Sequence, residues 1–252
     1  MSIQRFVWEI PFLLFFLILL TEGSRSPFLE KWKLKPDTTA IVTGGTKGIG
    51  KAIVDELCNM GCHVLTCSRS EEDLENCLEE WKKIRGVGQV DGIVADVSTE
   101  KGRESIVSKA NDLFDGSLDI LVNNVGTNIR KKTEEYELSD LEFILKTNFV
   151  SCFEMSKLAY NLLKRERNSE SNEVSSHPSS IINIGSVAGV TCMKSGTPYA
   201  ATKAAMNQLT GNLCCEVRLK SNDCLQSYTQ SYFGFFANIS FVIEVGKRRN
   251  SC

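Results

Sequence analysis

The sequence has little excess charge of either sign: 29 lysines and arginines stand against 31 aspartates and glutamates, a net of −2. That balance excludes an extended basic surface for nucleic acid and argues against any polyanionic partner. Ten cysteines include no C-x-x-C pair; Cys214 and Cys215 are adjacent and the rest are scattered, so no zinc-ligand spacing occurs. No apolar run reaches the roughly 20 residues that a membrane-spanning helix needs. No internal repeat is present, which excludes a solenoid or propeller. What remains, at 252 residues, is enough chain for one large α/β domain.

The cysteines are informative by where they fall. Cys58, Cys62, Cys67 and Cys152 sit inside apolar or helical patterns, not in loops at framework spacing. They are expected to be free, buried and reduced, behaving as small hydrophobes, which points to a cytoplasmic location. The N-terminus pulls the other way. Residues 10–20 are almost wholly apolar, preceded by Arg5 and followed by Thr21-Glu22-Gly23-Ser24. Residues 1–24 are therefore set apart as a signal core, a short anchor or an artefact. As an anchor they would bring residues 10–20 into contact with a membrane, the endoplasmic reticulum being the alternative location.

From residue 34 the pattern is regular. Thr39-Ala40-Ile41-Val42 is a short apolar run ending in glycines, which predicts a buried parallel strand. Further strands are predicted at 63–67, 90–95, 118–122 and 180–185. Helices are predicted at 51–60, 71–85 and 101–114, then a long helix or two abutting ones at 138–164, and a last one at 199–220. Leu74, Leu78 and Trp81 make one stripe of the 71–85 helix. Residues 165–180 are polar and are expected to form a solvated loop. Strands alternating with helices predict right-handed βαβ units and a Rossmann-type, doubly wound parallel sheet. Residues 34–220 form one expected α/β domain. Residues 221–252 make an atypical tail, whose apolar stretch at 233–245 is a candidate replacement strand.

The first strand runs straight into Thr43-Gly44-Gly45-Thr46-Lys47-Gly48-Ile49-Gly50, which opens a helix. Glycines there permit a tight turn and close approach of the backbone to a pyrophosphate, and the helix start offers unpaired N–H groups to an anion. Gly44, Thr46, Lys47, Gly48, Ile49 and Gly50 are thus candidate cofactor-binding residues; the bland alternative is an ordinary glycine-rich turn. The second strand ends in Ser68-Arg69, where a carboxylate would select the unphosphorylated cofactor. A guanidinium instead binds a 2′-phosphate, with Lys47 able to add a second positive charge, so NADP(H) is favoured. Asp96-Val97 and Asn123-Asn124-Val125-Gly126 follow the third and fourth strands, at the same rim. Asp96 can bond an adenine amino group, or can simply be a helix cap or turn residue.

Ser186 ends the fifth strand. Tyr199 and Lys203, four residues apart, share one helix face. An ammonium beside a phenol favours the phenolate, lowering a pKa ordinarily near about 10 and making Tyr199 a candidate general acid. Lys203 is expected also to bond the nicotinamide ribose. Ser186 can hold a carbonyl oxygen, though a capping serine is the commoner role. Asn148, polar in an apolar helical setting, can hold a water connecting Lys203 to solvent, or can be a buried hydrogen bond or a kink.

With these residues in view the chain resembles the short-chain dehydrogenase/reductase family. The resemblance rests on residues 43–50, Asp96-Val97, Asn123-Asn124-Val125-Gly126, Asn148, Ser186 and Tyr199-Ala200-Ala201-Thr202-Lys203, and it covers about 34–220. Residues 42–54, Thr66-Cys67-Ser68-Arg69 and 74–81 resemble the plant tropinone reductase-like branch. The resemblance implies an Asn148-Ser186-Tyr199-Lys203 catalytic set, a nicotinamide cofactor touched also by Ser68, Asn123, Val125, Gly126, Tyr199 and Lys203, and reduction of a small ketone to an alcohol. It also implies a homo-oligomer paired through the 138–164 and 199–220 helices. Val125 stands where that family usually has alanine. After Lys220 the family's sixth strand and Pro-Gly turn have no counterpart, and no proline follows Pro198. The last strands are accordingly expected to be missing, and the alternative function is an inactive remnant that binds cofactor weakly or pairs with full-length relatives.

Overall fold

The computed structural model describes residues 34, 37–83, 88–164, 179–220 and 240–245. The apolar segment at 10–20, the polar stretch at 165–178 and the rest of the 221–252 tail lie outside the described residues.

The alternation of strand and helix is realised as β1 (Thr39–Thr43), α1 (Gly48–Asn59), β2 (His63–Ser68), α2 (Glu71–Lys82), β3 (Gln89–Val94), α3 (Glu100–Leu113) and β4 (Ile120–Asn123). Then follow α4 (Leu138–Leu145), α5 (Ser151–Leu158), α6 (Tyr160–Leu163), β5 (Ser179–Asn183), α7 (Thr197–Lys220) and β6 (Ser240–Val245). Local chemistry sets several boundaries. Ser70 caps α2, its hydroxyl accepting from Asp73 N at 3.2 Å, with Glu71, Glu72 and Asp73 in the favourable first turn. Thr99 caps α3 by accepting from Gly102 N at 3.1 Å.

The strands lie in the order β3-β2-β1-β4-β5-β6. The first five are parallel, as a doubly wound Rossmann sheet requires. β6 runs antiparallel beside β5, with a register irregularity at Ile182/Asn183. The candidate stretch at 233–245 thus supplies a sixth strand at its end, Ser240–Val245, which runs antiparallel in a sheet expected to be parallel.

One row of side chains explains the core. Ile41 pairs in register with Leu65 and with Leu121, and Leu121 pairs with Ile181. Alternation puts all four on one sheet face. There they pack with Ile106, Ala110 and Phe114 around α3, and with Met155, Leu162 and Leu163 from α5 and α6. Cys58, Cys62, Cys67 and Cys152 are free and buried, as their setting in the sequence predicts, and so is Cys77. Burial pushes the Cys67 thiol up to about 11 and the Cys152 thiol up to about 12, so both stay protonated.

The 138–164 helix is interrupted. Lys146–Val150 is a π-helical turn between α4 and α5, with Ser151 N donating to Lys146 O. Asn148 lies at its centre. Among the described residues, no helix is long and apolar enough to cross a membrane, and no cluster of metal-ligating side chains occurs.

Candidate active site

The order of the strands reverses at β1, whose neighbours are β2 and β4, and the loops at the carboxyl ends of these strands converge there. The ends of β1 and β4 are stitched together by Thr43 and Asn124. Thr43 Oγ1 accepts from Asn124 N at 2.9 Å and Val125 N at 3.2 Å, while Asn124 Nδ2 donates to Thr43 O at 2.9 Å and Gly44 O at 3.1 Å. α1 begins against this seam. A Cβ on Gly50 would lie 2.2 Å from Gly44 O and 2.4 Å from Asn124 Nδ2, so only glycine lets the first helical turn approach so closely. Gly48 has φ +55° and its missing Cβ would meet nothing within 4 Å. The turn is therefore closed behind and open in front. Lys47 gives α1 no side-chain cap, and no acid sits in its first turn. Unpartnered N–H groups and the positive end of the helix dipole face that opening, which fits a diphosphate. Thr46 is buried beside Ser68, its hydroxyl 3.4 Å from Ser68 Oγ, and Ile49 is exposed at the edge.

At the end of β2, Ser68 Oγ accepts from Ser70 N at 3.1 Å. Arg69 is exposed and has no hydrogen-bond or ion-pair partner among the described residues. Lys47 is differently placed: its Nζ lies 2.7 Å from Asp73 Oδ2, in the first turn of α2. Each holds the other charged; the hydrogen bond from Lys47 lowers the Asp73 pKa, and that to Asp73 raises the Lys47 pKa. Asp96 makes the turn that the bland alternative expects, Oδ1 accepting from Ser98 N at 2.8 Å. Val97 has its side chain in the core and its carbonyl bonded by Arg103 Nη1 at 2.9 Å.

The rim beside β4 and β5 carries the remaining candidates. Lys203 is 3 % exposed; its Nζ donates to Ile184 O at 2.6 Å and lies 3.6 Å from Met206 Sδ and 5.8 Å from the Tyr199 ring centre. No carboxylate pairs with it among the described residues. Burial pulls its pKa down to about 8. Gly126 faces it, since a Cβ there would be 3.5 Å from Lys203 Nζ and 3.7 Å from Asn148 Oδ1. Ser186 opens a short 3-10 turn, Val187–Gly189, its hydroxyl accepting from Ala188 N at 3.2 Å. Gly189 seats this turn on α7, where a Cβ would come within 2.8 Å of the Lys203 backbone carbon. That contact brings the Ser186 turn to the helix carrying Tyr199, which is half-buried.

Asn148 is fully buried, and its amide is committed. Oδ1 accepts from Thr127 N at 2.7 Å, and Nδ2 donates to Thr127 O at 2.9 Å and Thr202 Oγ1 at 3.1 Å. Thr202 Oγ1 in turn donates to Tyr199 O at 2.7 Å. Both amide hydrogens are taken, and the side chain knits the π turn, the β4–α4 loop and α7 together. Asn123 is likewise interior: Nδ2 donates to Asn183 Oδ1 at 2.9 Å and Ser156 Oγ at 3.2 Å, so its side chain does not reach the rim. Val125 does, its Cγ2 standing 2.8 Å from where a Gly44 Cβ would be. The two loops bounding the cleft are also joined, Gly196 N donating to Lys131 O at 3.2 Å and Thr133 Oγ1 lying 2.9 Å from Thr197 Oγ1. The sequence motifs contain Thr202 and Asn124 but give them no role, and sequence reasoning misses Gly189 and Asp73. Only the hydroxyl inside Tyr199-Ala200-Ala201-Thr202-Lys203 offers a signal.

Residues 38–221 match the family model for short chain dehydrogenase. A tropinone reductase homolog of Arabidopsis thaliana is 46% identical over 187 residues, covering 74% of this chain and 66% of the relative. A tropinone reductase homolog of Datura stramonium is 42% identical over 187 residues, covering 74% and 65%. The chain thus spans just under two thirds of the length of these relatives. Among solved structures, the RhlG/NADP active-site complex of Pseudomonas aeruginosa superposes with a TM-score of 0.63 at 34% identity, covering 71% of this chain and 67% of that one. A mutant short-chain dehydrogenase/reductase of Serratia marcescens gives a TM-score of 0.63 at 31% identity, covering 73% and 69%.

Proposed function

Because the chain belongs to the short-chain dehydrogenase family, in its plant tropinone reductase-like branch, we propose that it is an NADPH-dependent reductase of a small ketone. The family's members are oxidoreductases that bind a nicotinamide cofactor. The observation that carries the finer reading is Lys203: a buried ammonium with no carboxylate partner among the described residues, on the same helix as Tyr199, facing Gly126 at the rim.

Gly44, Thr46, Gly48, Ile49 and Gly50 hold the diphosphate at the open, uncapped start of α1. Ser68 and Arg69 receive the adenosine ribose, where the uncommitted guanidinium selects a 2′-phosphate. Asp96 and the backbone of Val97 border the adenine, and Val125 and Gly126 border the nicotinamide. That NADP is named for the Pseudomonas aeruginosa complex accords with this choice. When bound, the reduced nicotinamide supplies the hydride.

The chain's own groups do the rest. Ser186 Oγ–H and Tyr199 Oη–H converge on the substrate carbonyl oxygen and orient it. Tyr199 donates the proton as negative charge develops on that oxygen. Lys203, buried beside Tyr199 with its Nζ held by Ile184 O, holds the ribose side of the site. Asn148, through Thr127 and Thr202, fixes the loop and helix that set these distances.

The test is oxidation of NADPH with a panel of small cyclic ketones, parent against Tyr199→Phe. The parent is expected to turn over at least one ketone and the variant to lose at least ~100-fold in kcat. If both bind NADPH and both are equally inactive, the chain is a cofactor-binding protein and the reductase reading is wrong.

A further inference from the structure

The two cations at the adenosine end are not equivalent. Arg69 has no ion-pair partner among the described residues, whereas Lys47 Nζ is held 2.7 Å from Asp73 Oδ2. Asp73 is itself well supported. It occupies the first turn of α2, where the helix dipole favours a carboxylate, and its backbone N–H donates to the capping Ser70 Oγ at 3.2 Å. Ser70 N in turn donates to Ser68 Oγ, which lies 3.4 Å from Thr46 Oγ1, so Asp73 is tied to the same few residues that receive the ribose.

A phosphate arriving beside Lys47 therefore meets a carboxylate one hydrogen bond away. It must share or displace an existing ion pair, and it is repelled by the partner it displaces. We propose that Asp73 is a specificity-determining residue that competes with the cofactor's 2′-phosphate for Lys47, so that Arg69 carries most of the selection and preference for NADP(H) over NAD(H) stays below what two cations would give. The inference rests on the NADP(H) reading of this site. NADH carries no 2′-phosphate, so its binding is insensitive to the competition.

The experiment is fluorescence titration of the whole chain with NADPH and with NADH. Asp73→Asn is expected to tighten NADPH about 2- to 5-fold, the size of an exposed ion pair, with NADH unchanged. The gain should vanish in Asp73→Asn/Lys47→Met. In the parent background Lys47→Met should weaken NADPH less than about 3-fold, and Arg69→Gln about 10-fold or more. Equal losses for these two variants, a neutral or weaker Asp73→Asn, or a gain that survives without Lys47 would each overturn the competition. If instead the parent binds NADH as tightly as NADPH and Arg69→Gln is neutral, the NADP(H) reading falls and takes this inference with it.

Discussion

A lysine ammonium buried without a carboxylate pays nothing back to the fold, because burial removes its water and leaves only neutral acceptors. Lys203 has one strong acceptor, Ile184 O, and a weak one, Met206 Sδ. Its pKa is pulled down to about 8, below the roughly 10.4 of an unfolded lysine. Between those values the unfolded chain binds more protons than the folded one, so this residue's penalty is full below about pH 8 and fades as pH rises toward about 10.4. Lys203→Met should therefore be inactive yet more stable than the cofactor-free parent at pH 7, by on the order of 2 kcal/mol, with the gap closing toward pH ~10. Paired thermal melts across pH measure this; a destabilised variant at neutral pH would show that the charge is compensated. That Lys203 stands beside Tyr199 is legible in the sequence, because a spacing of four puts both on one helix face. Asp73 is not, because its meaning comes from pairing with Lys47, 26 positions away, and spacing within one helix reveals nothing of that.

Among the elements, the junction of the π turn with α7 matters most. Within Lys146–Val150 the only signal of the change in hydrogen-bond register is Asn148, for which a kink is one of the expected roles. The sequence predicts a long helix or two abutting ones there, and the break falls at Asn148, as π turns often do at functional sites. The strands are far more legible. Each is a short apolar run closed by a turn signal, and β1, β2 and β4 start or end within two residues of expectation. What joins the π turn to α7 is Thr202, which bridges Asn148 Nδ2 and Tyr199 O. Thr202→Val keeps the shape, removes the bridge and leaves a buried amide hydrogen without its acceptor. It should cost about 1–2 kcal/mol in stability and about tenfold in kcat, with Thr202→Ser restoring both. Melting temperature and steady-state kinetics read the outcome; a stable Thr202→Val with full kcat would remove the residue from the account.

For the whole molecule, right-handed crossovers fit more than one strand order, so the order β3-β2-β1-β4-β5 is read from the structure, but the parallel sheet and the rim where the loops meet are legible in the amino-acid pattern alone. The direction of β6 is not. An apolar stretch has the same composition whether it runs up or down, and only the course of the chain decides. The chain spans just under two thirds of the length of its Arabidopsis thaliana and Datura stramonium relatives, while every residue assigned to the diphosphate, ribose and carbonyl lies between Gly44 and Lys203. The account's central claim is that these residues suffice for a working cofactor end. The direct measurement is NADPH fluorescence titration of the full chain beside Gly50→Ala, whose added methyl has no space against Gly44 O. Saturable binding of one NADPH per chain, weakened at least ~tenfold in Gly50→Ala, is the predicted result. No saturable binding by the parent, or binding that Gly50→Ala leaves intact, would contradict it.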